Sequence, residues 1–267
     1  MAYLVLECGS SARGDANSSS DRDVVCLWTG FFPNIIGIKE KYGDVMVYSL
    51  DTIFRMKSKG SLFLVHLDVD GKYLEGDIDL LDVIRGFRPR REAINLSLDK
   101  TVAFIKDIEW YPSAARGFLW LLDTLYVSLR NCIYCRNALH GNYLFGYISA
   151  LEIFELSAEN IETMILIREG KYRYRISQQA DEYLVGCDRI SKVCKEILGR
   201  HVTFQRGGTT DWLRHWDLDY WDERLIERAV LNSEHVAPEF MEKMRNHNYF
   251  KGALKKEMSL IVRSHIK

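Results

Sequence analysis

The sequence is most informative first in what it lacks. It has no strong charge of either sign: 36 basic against 37 acidic residues leave a net charge of -1 over 267 residues. No global basic field therefore pulls the molecule onto nucleic acid, and any basic patch must be local. It has no apolar run of the roughly 18 uncharged residues that a membrane helix needs. It has no basic start followed by a long apolar stretch, so no secretory leader is expected and the expected location is the cytoplasm. Its six cysteines, Cys8, Cys26, Cys132, Cys135, Cys187 and Cys194, are scattered through apolar segments rather than spaced as a disulfide framework. There is no internal repeat and no low-complexity tract. What remains is an ordinary globular composition, 47% hydrophobic and 27% charged, with length enough for one large domain or two smaller ones.

Along the chain the texture changes once. Residues 1 to about 85 alternate strand and turn signals. Tyr3 to Cys8 and Asp23 to Trp28 read as strands, Pro33 to Tyr42 as a helix, Asp44 to Tyr48 as a strand and Leu50 to Lys57 as a short helix. SLFLVHLDVDGKYLEGD reads as strand, Asp70-Gly71 turn and strand, because Asp-Gly between alternating runs signals a hairpin. RGFRPRRE, Arg85 to Glu92, is a basic link. Beyond it nearly everything reads at helical period: Phe118 to Cys135, then YLFGYISALEIFEL, IETMILIREGKYRYRI and ADEYLVGCDRISKVCKEILG. A Thr-Thr-Asp after Gly207-Gly208 caps a further helix, and a last one lies near Pro238 to His265. The expected organisation is an α+β domain over residues 1–88 and an α-helical domain over residues 89–267.

The chemistry concentrates near the start, in GSSARGDANSSSDRD, Gly9 to Asp23. Asp21 and Asp23 stand two residues apart at the head of a strand, so their carboxylates point the same way. Such a pair repels itself unless a cation binds, and hard oxygen ligands on one face suit Mg²⁺. Gly9 and Ser10 close the preceding strand with a turn whose amides and hydroxyl can approach phosphate oxygens. A third acid belongs on a neighbouring strand. In LFLVHLDVDG read as a strand, Leu64, His66 and Asp68 share one face, which makes Asp68 the candidate and His66 a structural neighbour.

Gly9-Ser10, ten residues, Asp21-Arg22-Asp23 and Leu67-Asp68-Val69 together resemble the DNA polymerase β-type nucleotidyltransferase superfamily, especially bacterial stand-alone members of the antibiotic and toxin or defence types. The resemblance covers the first 85 or so residues. It implies a small polymerase β-like domain with a mixed sheet, followed by a helical domain. It also implies an enzyme that moves an NMP from an NTP to an acceptor hydroxyl and releases pyrophosphate. Asp21, Asp23 and Asp68 would hold two Mg²⁺ ions, with the nucleotide phosphates at Gly9 and Ser10. The acceptor stays open among a small molecule, tRNA and protein. A cyclic oligonucleotide synthase, and an inactive nucleotide-binding or antitoxin-like interaction protein, are the alternatives.

Other features take plainer readings beside sharper ones. In KYRYR, Lys171 to Arg175, three cations stand two residues apart on a solvated helix face. The sharper reading, following the resemblance, gives Lys171 the leaving pyrophosphate, with Arg173 on another azimuth. Cys132-x-x-Cys135 lies inside an apolar helix without a second such pair, so metal binding is not expected there. Arg136 and His140 are spaced one residue too closely for a helical ribonuclease pair. Arg85, Arg88, Arg90 and Arg91 form a linker or hold a nucleic-acid acceptor. Trp212, Trp216 and Trp221 read as core or as a partner surface.

Overall fold

A computed structural model describes residues 2–16, 22–176, 185–232, 240 and 251–266. The protein is α+β, with a small mixed sheet of four strands and a much larger helical content. By compactness the chain divides into two units: residues 1–101 with 131–156, and residues 102–130 with 157–267.

The first unit is organised by β1 (Ala2–Cys8), β2 (Asp23–Thr29), β3 (Val45–Ser49) and β4 (Lys72–Gly76) in the order β3-β2-β1-β4. β1 runs antiparallel to both β2 and β4, while β2 and β3 are parallel. Parallel strands cannot be joined by a tight turn. The chain therefore crosses from β2 to β3 through α2 (Ile35–Tyr42), which Asn34 caps by accepting from the Gly37 N–H at 3.2 Å. Alternation gives the sheet two apolar faces. Leu4, Leu6, Cys8, Val25 and Leu27 pack against Ile53 of α3 (Leu50–Ser58) and against Leu64 and Leu67 of α4 (Leu62–Asp70). Val5, Val24, Cys26 and Val45 pack against Ile38 of α2. A 3-10 turn, Ile78–Val83, follows β4.

The expected hairpin at Asp70-Gly71 is overturned. Residues 62–70 are helical, and Asp70 closes α4 in its last turn. Leu64 and Leu67, three apart, both reach the core, a helical spacing that the apparent alternation concealed. Gly71 has φ -66°, so no left-handed turn calls for glycine there. A side chain would instead collide with the Leu67 carbonyl oxygen of the last helical turn.

α5 (Arg91–Asp107) and α6 (Gly117–Leu139) each run unbroken through a division between the units, at 101/102 and at 130/131. α6 is followed in the first unit by α7 (Tyr147–Ile153). There Ile94, Cys135 and Ala138 form a small core, and Asn131 donates to the Thr101 hydroxyl at 2.7 Å.

The second unit contains α8 (Ala158–Arg175), α9 (Cys187–Leu198), α10 (Tyr220–Asn232) and α11 (Lys251–Ile266). It also has a short parallel ladder, β5 (Trp110–Tyr111) with β6 (Gln205–Arg206), that periodicity did not signal. Thr209-Thr210-Asp211 caps no helix; the Asp211 carboxylate accepts only from the Leu213 N–H, at 3.0 Å, among the described residues. Asp219 is the cap of α10, accepting from Trp221 and Asp222 N–H groups at 2.9 and 3.2 Å. Unlike the sheet core, this unit buries charge. Arg224 pairs with Asp123 and with Glu227, both at 2.7 Å, and Tyr174 donates to Glu227 at 2.5 Å. Burial disfavours the charged arginine, but Glu227 and Asp123 beside it outweigh that and hold it protonated. No helix among the described residues is long and apolar enough to cross a membrane.

Candidate functional site

β1 ends on Cys8, whose backbone is extended, and the chain then turns through Gly9 at φ +75° into the short helix α1 (Gly9–Arg13). Only glycine takes that conformation without strain. A second constraint acts on the same residue. The β1–β2 register places Asp23 opposite Cys8, and the Asp23 carboxylate folds over the turn. A Cβ on Gly9 would lie 2.5 Å from Asp23 Oδ2. The strand-end glycine and the second acid of the Asp-x-Asp pair are thus in direct contact, and Ser10 follows, half-buried, in α1. Arg22 turns to the other face, where its Nε meets Glu7 at 2.8 Å. Asp21 lies outside the described residues.

Charge gathers around this turn. Burial raises the Cys8 thiol to about 12, helped by the negative charges of Asp23 and Asp70. A thiol so placed stays protonated and is no nucleophile at neutral pH. Asp70, missed as a functional candidate, is the centre of a small cluster. Its Oδ2 accepts from Arg13 Nη1 at 2.9 Å and lies 3.1 Å from His66 Nε2, which is itself 3.2 Å from Arg13 Nη1. Burial pushes the Asp70 carboxyl up, yet bonds from His66 and Arg13, with their charge, leave it below its ordinary value. His66 also stacks on Phe145, centroids 4.8 Å apart, and Tyr134 donates to the Phe145 carbonyl at 2.8 Å. The only sequence sign of the cluster was the i, i+4 spacing of His66 and Asp70.

Asp68 requires a correction of its setting. The strand face that recommended it does not exist, because its segment is α4. Its carboxylate is nearly buried and fully engaged: Oδ2 pairs with Arg88 Nη1 at 2.7 Å and Oδ1 accepts from the Gly86 N–H at 3.1 Å. Arg88 also covers the Tyr143 ring at 5.0 Å. Asp68 and Arg88 together clasp the stretch after the 3-10 turn to α4. Among the described residues, no three His, Cys, Asp or Glu side chains form a group that could hold a metal ion.

The remaining sequence candidates sit as follows. Lys171, on α8 in the second unit, places its ammonium over the rings of Tyr126 and Tyr172 at 4.9 and 5.0 Å. Arg173 pairs with Glu169 one turn back at 3.2 Å, and Arg175 with Asp123 at 3.6 Å. Cys132 and Cys135 are fully buried in α6, and burial lifts the Cys135 thiol to about 11. Trp221 stacks on Phe104 at 4.3 Å, a core role, while Trp212 stacks on His265 at 4.1 Å.

Comparison with known proteins found no family model, no curated protein and no solved structure that matches the chain. What the site can do is therefore argued from its own chemistry. A glycine turn at a strand end presents amides, a serine hydroxyl follows, and a carboxylate touches the turn. That arrangement suits a phosphate ester brought in with a divalent cation.

Proposed function

We propose that the protein is a Mg²⁺-dependent nucleotidyltransferase, with a polymerase β-like first unit, that transfers an NMP from an NTP to an acceptor hydroxyl. The observation that carries this reading is the contact of the Asp23 carboxylate with the left-handed Gly9 turn. The motif spacing alone says only that the residues exist; the register of β1 on β2 explains why turn and acid meet.

Asp23 fits a hard cation by its donor type and its place beside the left-handed Gly9 turn, and Asp21 would complete the pair. Bound Mg²⁺ would supply the positive charge that the triphosphate needs. Gly9 and Ser10 would seat the phosphates through amide and hydroxyl donors. The acceptor hydroxyl gives up its proton to water as its oxygen forms a bond to the α-phosphorus, the bond to the bridging oxygen breaks, and pyrophosphate leaves. Arg13 would serve indirectly, since Asp70 and His66 fix the end of α1 through it.

One observation favours a second reading, a nucleotide-binding protein without turnover. Asp68, the expected third acid, is spent on Arg88 and the Gly86 amide. Incubation with each α-labelled NTP, Mg²⁺ and cell extract separates the two. Label entering an acceptor fraction, and lost in Asp23→Asn, supports transfer. Mg²⁺-dependent NTP binding by calorimetry without any transferred label supports the second reading. Neither binding nor transfer sinks both.

A further inference from the structure

A cavity of about 480 Å³ opens within the second unit, walled by Glu109, Trp110, Thr210, Asp211, Trp216 and Arg228 among others. Its size is that of a small-molecule site. The wall is built around Trp110. Gly207, at φ +75°, and Gly208 lay the chain flat on the indole, and a side chain at Gly208 would run into the ring. Asn232 pins that segment by donating to the Gly208 carbonyl at 3.1 Å and accepting from the Ser113 N–H at 3.0 Å. The Arg228 guanidinium covers Trp110 at 4.1 Å from the ring centroid.

The charges of this wall do not close among themselves. Arg228 is 5% exposed, and its one hydrogen bond among the described residues goes from Nη1 to the Asp107 carbonyl, at 3.0 Å. No carboxylate of the described residues reaches it within ion-pair distance, and its Nε has no acceptor among them. Burial pulls it down to about 10, against the pull of Asp107 and Glu109. Thr210 Oγ1 is likewise buried without a partner among the described residues. On the same wall Glu109 and Asp211 pair with no cation of the described residues, because Arg214 is taken by Asp107 and Asp222, each at 2.9 Å. Among the described residues, Arg228 thus has no ion-pair partner at contact distance, only the longer-range pull of Asp107 and Glu109, and it shares a cavity with Glu109 and Asp211, which pair with no cation. A ligand of one sign would satisfy one set and be repelled by the other. A ligand carrying both signs satisfies both.

We propose that this cavity binds a small zwitterion of the amino-acid type, its carboxylate on Arg228 and Thr210 and its ammonium toward Glu109 and Asp211. The site lies wholly within the second unit and does not depend on nucleotidyl transfer. The test is calorimetry on the full chain, without nucleotide, against each of the twenty L-amino acids up to 10 mM, their decarboxylated amines and their N-acetyl forms. At least one amino acid is expected to bind, and removal of either charge should weaken it at least about tenfold. Arg228→Met should weaken it by a similar factor. Glu109→Gln, at an exposed position where folding is not at stake, should do so for amino acids and not for N-acetyl forms. Absence of binding by any amino acid at 10 mM overturns the proposal. So does equal binding of amine or N-acetyl forms, or an unchanged affinity in Glu109→Gln.

Discussion

The two units solve the same problem, burying a core, by opposite means. Around the sheet every large side chain in the core is apolar: Leu4, Leu6, Val25, Leu27, Ile53, Leu64 and Leu67. The helical unit buries Asp123, Asp222, Arg224, Glu227 and Arg228 among its apolar residues. An apolar core loses stability in proportion to the volume removed, whereas a buried ion network fails when one member is lost, since each survivor is left charged in a poor solvent. The sheet unit thus keeps its charged groups at its rim, where Asp23 meets Gly9 and Asp70 meets Arg13. The helical unit carries polar specificity in its interior.

The strongest way to break this contrast is Arg224→Met. Loss of the cation that joins Asp123 and Glu227 should cost about 3–5 kcal/mol in denaturant unfolding. Adding Asp123→Leu and Glu227→Leu should restore most of it. A single substitution costing under about 1 kcal/mol would show that the network is not a unit.

At the rim of the sheet, Gly9→Ala puts a side chain at φ +75° and against Asp23. It should cost about 1–2 kcal/mol for the left-handed backbone alone and abolish Mg²⁺-dependent NTP binding. Unfolding scans and calorimetry on the same sample check both, and Asp23→Asn should lose the binding while keeping the stability.

Asp70 sharpens the comparison through pH. Its folded carboxyl is held below its ordinary value by His66 and Arg13 against the opposing effect of burial. Its contribution is therefore complete above the ordinary aspartate range near 4 and disappears as pH falls through the depressed folded value. Asp70→Asn should cost about 1 kcal/mol at pH 7 and flatten the slope of stability against pH below about 4. An unaltered slope would mean that the Arg13–His66–Asp70 cluster contributes nothing to acid stability.

The smallest effect is expected at Arg173. Its partner Glu169 lies one turn away on the surface, and Arg173→Ala should stay within about 0.5 kcal/mol. A larger loss would show that the Arg173–Glu169 pair is more than a surface contact.

The sequence made the sheet legible where side-chain alternation and burial agreed. β1 and β2 carry apolar residues on both faces and break at Gly9 and Gly30, so their ends fell where expected. It misled at LFLVHLDVD, because nine residues hold too few turns to separate a period of 2 from one of 3.6, and Val65 and Val69 carry strand propensity. Asp-Gly misled for a related reason: Gly71 answers to a close carbonyl, and nothing in a dipeptide distinguishes that need from a left-handed turn. The contact of Asp23 with Gly9 was foreshadowed by motif spacing, but the Asp70 cluster was not. Arg13 and His66 are 53 residues apart, and only the packing of α1 on α4 brings them together. The zwitterion cavity was equally silent, since Trp110, Thr210 and Arg228 come from three separate segments.

The division of α5 and α6 between the units has a consequence for how the molecule is made. During synthesis the sheet, complete by Gly76, emerges from the ribosome long before residues 131–156, which belong to the same unit. Phe145, the ring that backs His66, leaves the exit tunnel only after the whole opening stretch of the helical unit, 102–130, has passed. The sheet and the helices on its two faces are thus complete while His66 still lacks Phe145 behind it, and a segment of the other unit is already free to begin folding. Cutting the gene at the sequence-based boundary near residue 88 would make that interim state permanent. The shortest N-terminal fragment that contains every residue of the first unit is 1–156.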